Sequence, residues 1–129
     1  MIVSGAYNYI NILGKAASAS AVRQEVITNN LANVDTPNYK RQDVTFESIL
    51  KSAIGGYSDL DEAVSQVDLS TLGASVYTDN ASLSYRLDGN NVDASTENAY
   101  LAKNQIRYYT LLDSLTQEFS RLNTVIKSN

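Results

Sequence analysis

The sequence predicts a mainly α-helical chain: long N- and C-terminal helices pair as an antiparallel coiled coil, and a loop-rich middle holds a short β-hairpin. Three observations predict it. Apolar residues recur near the 3.6 period over residues 4–33, a strict seven-residue repeat runs through residues 93–129, and one Pro and six Gly are the only strong breakers in 129 residues.

Residues 4–33 form the first helix in this reading. Ile10, Leu13, Ala17 and Leu31 share one row, with Tyr9, Ile12, Ala16, Ala19 and Val26 in a second row beside it. Small residues from Ala16 to Ala21 keep the surface narrow, so a neighbour can come close. They bury too little area for the helix to stand alone. The stop lies in Asn33-Val34-Asp35-Thr36-Pro37, because a residue before proline is driven out of the helical region. Thr36-Pro37-Asn38-Tyr39 then fits a type II turn, with Asn38 at the position that requires positive φ.

Residues 39–46 read as extended, anchored by Tyr39, Val44 and Phe46. Thr45 is placed to cap a short helix through Phe46, Ile49, Leu50 and Ala53, which Gly55-Gly56 end. Residues 57–92 are weakly patterned and are expected to be loop, apart from one strand or hairpin arm at Leu83, Tyr85 and Leu87 ahead of Asp88-Gly89.

From Asp93 the pattern tightens. Leu101, Tyr108, Leu115 and Leu122 interleave with Gln105, Leu112, Phe119 and Ile126 as an a/d seam whose single polar member is Gln105. Asp93 or Ser95 serves as N-cap, and Glu97 favours the helix dipole. Arg107, Arg121 and Lys127 lie off the seam. So narrow a stripe demands another helix, and the first helix is the available partner. The chain divides into an N-terminal coiled-coil helix (1–34), a turn with an extended segment and short helix (35–56), an acidic variable middle (57–92) and a C-terminal coiled-coil helix (93–129).

Composition removes whole classes of chemistry. Without Cys or His there are no disulfides, no thiolate or imidazole zinc ligands and no thiol or Ser–His catalysis. The net charge of −4 is uneven: residues 54–99 carry Arg86 against eight carboxylates, while both flanks are slightly basic. No basic stripe marks a nucleic-acid binder, and no apolar run is long enough to span a membrane. Ala17-Ser18-Ala19 is similar to a signal-peptidase site, but the first residues lack Lys and Arg, and Asn8, Asn11 and Lys15 interrupt the apolar stretch, so no cleaved signal is expected. The glycines match no phosphate-binding loop. Asp59, Asp61 and Glu62 lack the glycine and closing glutamate of a calcium loop and read as a solvated face. No catalytic residue, cofactor or metal site is predicted.

Two stretches remain, Asn30-Leu31-Ala32-Asn33-Val34-Asp35-Thr36-Pro37-Asn38-Tyr39 and Gly89-Asn90-Asn91-Val92-Asp93 running on through Glu97, Leu101-Ala102-Lys103-Asn104-Gln105 and Tyr108. On their residues alone they are a helix stop with a turn, and a loop leading into a coiled-coil helix. Together they resemble the bacterial flagellar rod and hook protein family. The first is similar to that family's signature, Asn-(Ile/Leu)-Ala-Asn, two residues, then Thr-Pro-Gly-Tyr. The second is similar to the C-terminal region of its proximal-rod members, including a spaced Phe and Leu matched by Phe119 and Leu122. The likeness covers about residues 20–50 and 87–127. Asn38 stands where the family usually has Gly, and Asn98 where an apolar residue is common.

The resemblance implies a structural subunit of the proximal rod of the flagellar basal body, neither enzymatic nor cofactor-dependent, exported by the flagellar type III apparatus without a cleaved signal. It implies as partners other copies of the chain, neighbouring rod proteins, and the basal-body adaptor and export gate at the rod base, with no nucleic acid and no direct membrane span. Subunit contacts are then expected at Asn30, Ala32, Asn33, Thr36, Pro37 and Tyr39, and along Leu101, Tyr108, Leu112, Leu115, Phe119, Leu122 and Ile126. Another rod subunit, or a secreted coiled-coil adaptor using the same seam, is the alternative. Terminal helices that bury little area alone are expected to order on docking.

Overall fold

A computed structural model describes residues 2–80 and 86–128. Helix α1 (Ile2–Ala32) runs the length of the molecule. Strand β1 (Gln42–Thr45), helix α2 (Glu47–Ile54), helix α3 (Leu60–Gln66), a 3₁₀ turn (Leu69–Thr71) and strand β2 (Ser75–Thr78) follow, and helix α4 (Ala94–Lys127) returns antiparallel along α1. The mainly helical class and the pairing of the terminal helices are as the periodicity predicts.

Helix α1 is sandwiched. On one side Ala19 meets Phe46 and Leu72 in the buried core, with Ile12, Ala16, Ile49, Leu50 and Val67 packed around them. The small residues of α1 therefore admit the α2–α3 layer. On the other side lies α4, and contacts from Ser20 to Asn104 and from Asn30 to Glu97 fix the antiparallel register.

The middle departs from the loop expected there. Ala63, Val64 and Leu72 are almost fully buried, and these few side chains dock α3 and the 3₁₀ turn onto α1. Polar stitches reinforce the docking: Asn8 Nδ2 donates to Val64 O at 3.2 Å and Lys15 Nζ to Leu72 O at 3.1 Å. Asp59 caps α3 by accepting from Glu62 N, and Asp68 caps the 3₁₀ turn by accepting from Ser70 N. Asp59 and Glu62 stand at capping-box spacing, a signal that could have revealed the helix.

The sheet of the middle is antiparallel and two-stranded, with Gln42 opposite Thr78 and Thr45 opposite Ser75. It joins segments distant in the chain. Leu83 and Tyr85 lie outside the described residues, and Leu87 sits fully exposed in a turn. Thr45 does not cap α2. Phe46 occupies the N-cap without a side-chain bond, because Thr45 belongs to β1 and its hydroxyl donates to Ser75 O.

Candidate functional site

The turn after α1 forms as its residues require. Tyr39 N donates to Thr36 O at 3.3 Å, and Asn38 takes φ 61°, the left-handed region that asparagine tolerates best after glycine. The helix end above it is closed from outside. The Asn90 side-chain nitrogen lies 2.8 Å from Asn33 O, 3.0 Å from Val34 O and 2.9 Å from Thr36 O. Each of these carbonyls also accepts a second bond, Asn33 O from Thr36 N, Thr36 O from Tyr39 N and Val34 O from Arg86, and the one buried amide gathers all three at the end of the helix. Gly89 takes φ 77°, and a Cβ there would lie 2.5 Å from Asn38 Oδ1. The Gly-Asn pair thus presses against the turn where a larger residue would push it away.

Asn30 is fully buried and uses both ends of its amide. Its Oδ1 accepts from Gln42 N at 2.9 Å and from the Tyr39 hydroxyl at 3.0 Å, while Nδ2 donates to Gln42 O at 2.8 Å and Glu97 Oε2 at 3.2 Å. Arg23 donates to Val44 O at 2.8 Å. Side chains of α1 therefore satisfy the outer edge of β1 where a third strand would otherwise pair.

Glu97, in the first turn of α4, is 1% exposed and accepts from Arg41 Nε at 2.5 Å. Arg41 also donates to Asp79 Oδ2 at 2.8 Å and stacks over the Tyr100 ring at 5.3 Å. Burial opposes its charge, but the bonds to Glu97 and Asp79 outweigh that and hold the guanidinium above its already high range. This joint ties α1, β1, β2 and α4 at one point. Nearby, Glu47 accepts from Arg23 at 2.6 Å and from Arg107 at 2.7 Å, and the hydrogen bond from Arg23 holds its carboxyl down at about 2.

Helix α4 divides the predicted seam. Glu97, Asn104 and Leu122 are buried towards α1, and Leu101, Tyr108, Leu111, Leu115, Glu118 and Val125 are half-buried. Gln105 is exposed; its neighbour Asn104 is buried instead, beside Glu97 one heptad earlier, and its amide finds partners on Ser20 and Gln24. Leu112 is half-buried at the margin, and Phe119 and Ile126 are each 53% exposed. Ile106 at 70% and Tyr109 at 69% are further exposed apolar side chains of α4.

Of the signature residues, Asn30 is enclosed, Asn33 and Tyr39 are half-buried, and Ala32, Thr36 and Pro37 face outward. Sequence reasoning gave Arg41 and Asp79 no role, and met Asn90, Glu97 and Asn104 only as members of the second stretch, with Glu97 also a dipole partner. The missed signal was spacing: Glu97 and Asn104 are seven apart, on a heptad row that continues as Leu111 and Glu118.

At the far end a cleft of about 820 Å³ opens between α1, α3 and α4, with Ala6 and Leu122 in its wall. Tyr9 donates to Asp61 at 2.6 Å there, and that bond, with burial, pushes the phenol up to about 12. Among the described residues no group of side chains converges as metal ligands, and no helix is long and apolar enough to cross a membrane.

The family described as flagella basal body rod protein matches residues 10–40, which hold most of α1 and the turn. The flagellar basal body rod protein FlgB of Bacillus subtilis is 39% identical over 119 residues, 91% of this chain and 92% of that protein. FlgB of Borrelia hermsii is 35% identical over 142 aligned positions, 98% and 96% of the two chains. FlgB of Escherichia coli is 34% identical over 123 residues, 88% and 89%. Because this likeness takes in both long helices as well as the turn between them and the middle, the chain belongs to the flagellar basal body rod protein family.

Proposed function

We infer that the chain is a structural subunit of the proximal part of the flagellar rod, joining its neighbours through the face of α4 that α1 leaves open. The family is structural and not enzymatic. One observation carries the assembly reading: after pairing with α1, α4 still exposes Ile106, Tyr109, Phe119 and Ile126 along a 34-residue helix. So much exposed apolar surface on a helix about 50 Å long is unusual where it is meant to meet water. Laid against the helices of neighbouring copies and other rod proteins it becomes core, and a heterologous contact whose rotation does not close makes a tube. The exposed Ala32, Thr36 and Pro37 stand at the opposite end of α1 and supply contacts to the next subunit. The adaptor and export gate at the rod base are further partners, and export proceeds without a cleaved signal.

The test is Phe119→Asp with Ile126→Asp in the living cell. The variant is expected to be made and exported, to keep its helical content, and to leave basal bodies without a rod. Incorporation at the native level, or cells that swim normally after the gene is deleted, would sink the reading.

A further inference from the structure

Apolar packing on a heptad repeat does not distinguish one register from a slide of seven residues, because each slide brings similar side chains together. Helix α4 faces that ambiguity over 34 residues, and its exposed apolar side chains add other helices as competitors for pairing. Two polar clusters break it: Asn30 and Arg41 hold Glu97 at the first turn of α4, and a second cluster lies within the helix pair. Asn104 and Ser20 are each 2% exposed. Ser20 Oγ donates to Asn104 Oδ1 at 2.9 Å, and Asn104 Nδ2 donates to Ser20 O at 2.9 Å and to Gln24 Oε1 at 3.2 Å. One heptad either side of Ser20 on α1 stand Leu13 and Ile27, and one heptad either side of Asn104 stand Glu97 and Leu111.

The geometry points to Ser20, Gln24 and Asn104 as a positioning cluster that sets the register of α4 and its choice of α1 over other helices. A slide of one heptad places the Asn104 amide against Leu13 or Ile27, and Ser20 against Leu111 or Glu97. Buried polar atoms then lose their partners, whereas in the native register each buried side-chain polar atom among the described residues is answered. The same loss follows when α4 pairs with an apolar stripe on another copy. A buried polar residue at a seam position contributes specificity more than strength, so its replacement by apolar residues need not weaken the pair.

The experiment uses the full chain with spin labels on cysteines introduced at Ser18 and Thr110, both exposed, in a protein that has no cysteine of its own. Labelled chain is diluted in unlabelled chain so that each distance comes from one molecule. The native background is expected to show one narrow distance. Ser20→Ala with Asn104→Leu, in a background that already carries Arg41→Leu and Glu97→Leu, is expected to keep the helicity and melting temperature of that background while adding populations in which α4 has slid by about 10 Å, the rise of one heptad. The exchanged pair, Ser20→Asn with Asn104→Ser, is expected to restore the single distance. A single native distance in the apolar variant overturns the proposal, because the cluster is then a tolerated polar contact. Loss of helix in that variant also overturns it, since the cluster then supplies stability and not selection.

Discussion

Arg41 reaches Glu97 across 2.5 Å and ties the residue before β1 to the first turn of α4. The pair is buried, with side-chain exposures of 9% and 1%, and Asn30 and Asp79 share it. A buried ion pair of this kind contributes little against an apolar replacement and much against the loss of one partner.

Glu97→Ala is accordingly expected to cost about 3–5 kcal/mol, because it leaves the Arg41 guanidinium without its closest counter-charge. Urea unfolding measures it. The double change Arg41→Leu with Glu97→Leu is expected to cost less than the sum of the two single losses, and strict additivity would show that the charges act independently.

Asn90→Ala removes the donor that serves Asn33, Val34 and Thr36. The expected cost is about 1 kcal/mol, that of lost hydrogen bonds and not of orphaned carbonyls, because Asn33 O keeps Thr36 N, Thr36 O keeps Tyr39 N and Val34 O keeps Arg86. Hydrogen exchange should quicken at the end of α1 and in the turn, while the amides of α2 stay protected. Equal quickening in both places would mean global destabilisation and not an uncapped helix.

Gly89→Ala combines a left-handed backbone with the approach to Asn38 Oδ1. It is expected to destabilise by about 1–2 kcal/mol from the backbone alone, with the clash in addition. Adding Asn38→Gly removes the clashing atom and should recover part of the loss, whereas Asn38→Gly by itself should be close to neutral. Thermal melts of the three variants separate the two contributions.

Acid should loosen the α1–α2–α4 bridge before it unfolds the rest. Glu47 has its carboxyl lowered from 4.5 to about 2 by Arg23, so its stabilisation is fully present above about pH 4.5 and fades as the pH falls towards 2. The carboxylate is half-exposed, so salt screens it and the effect stays below about 1 kcal/mol. Glu47→Gln should be less stable than the native chain at neutral pH, with the difference closing on acidification. A difference that widened in acid would contradict the assignment.

Much of this arrangement is legible residue by residue. Pro37 and Asn38 announce the end of α1 and the sign of the turn because their backbone preferences are local. Asp93 announces the start of α4 for the same reason: its carboxylate accepts from Ser95 N and Thr96 N. The α3 segment was harder, since Ala63, Val64 and Leu72 are too few to make a periodic pattern and become core only once α1 covers them. Thr45 misled because a hydroxyl that suits an N-cap is equally suited to a strand, and pairing with Ser75 decided between them.

The sequence by itself determined that two long helices bracket the chain, where each begins or ends, and that the last must find a partner. Those properties rest on spacing and on backbone preference within a few residues. Only the tertiary structure decided which stripe of α4 turns inward, because two apolar rows of equal period lie side by side on it. The choice belongs to Asn30, Ser20 and Arg41, whose bonds to Glu97 and Asn104 reach across 56 to 84 positions of chain. Burying Asn104 opposite Ser20 leaves Phe119 and Ile126 on the surface, and hydrogen bonds that distant in sequence are directional contacts which no local pattern encodes.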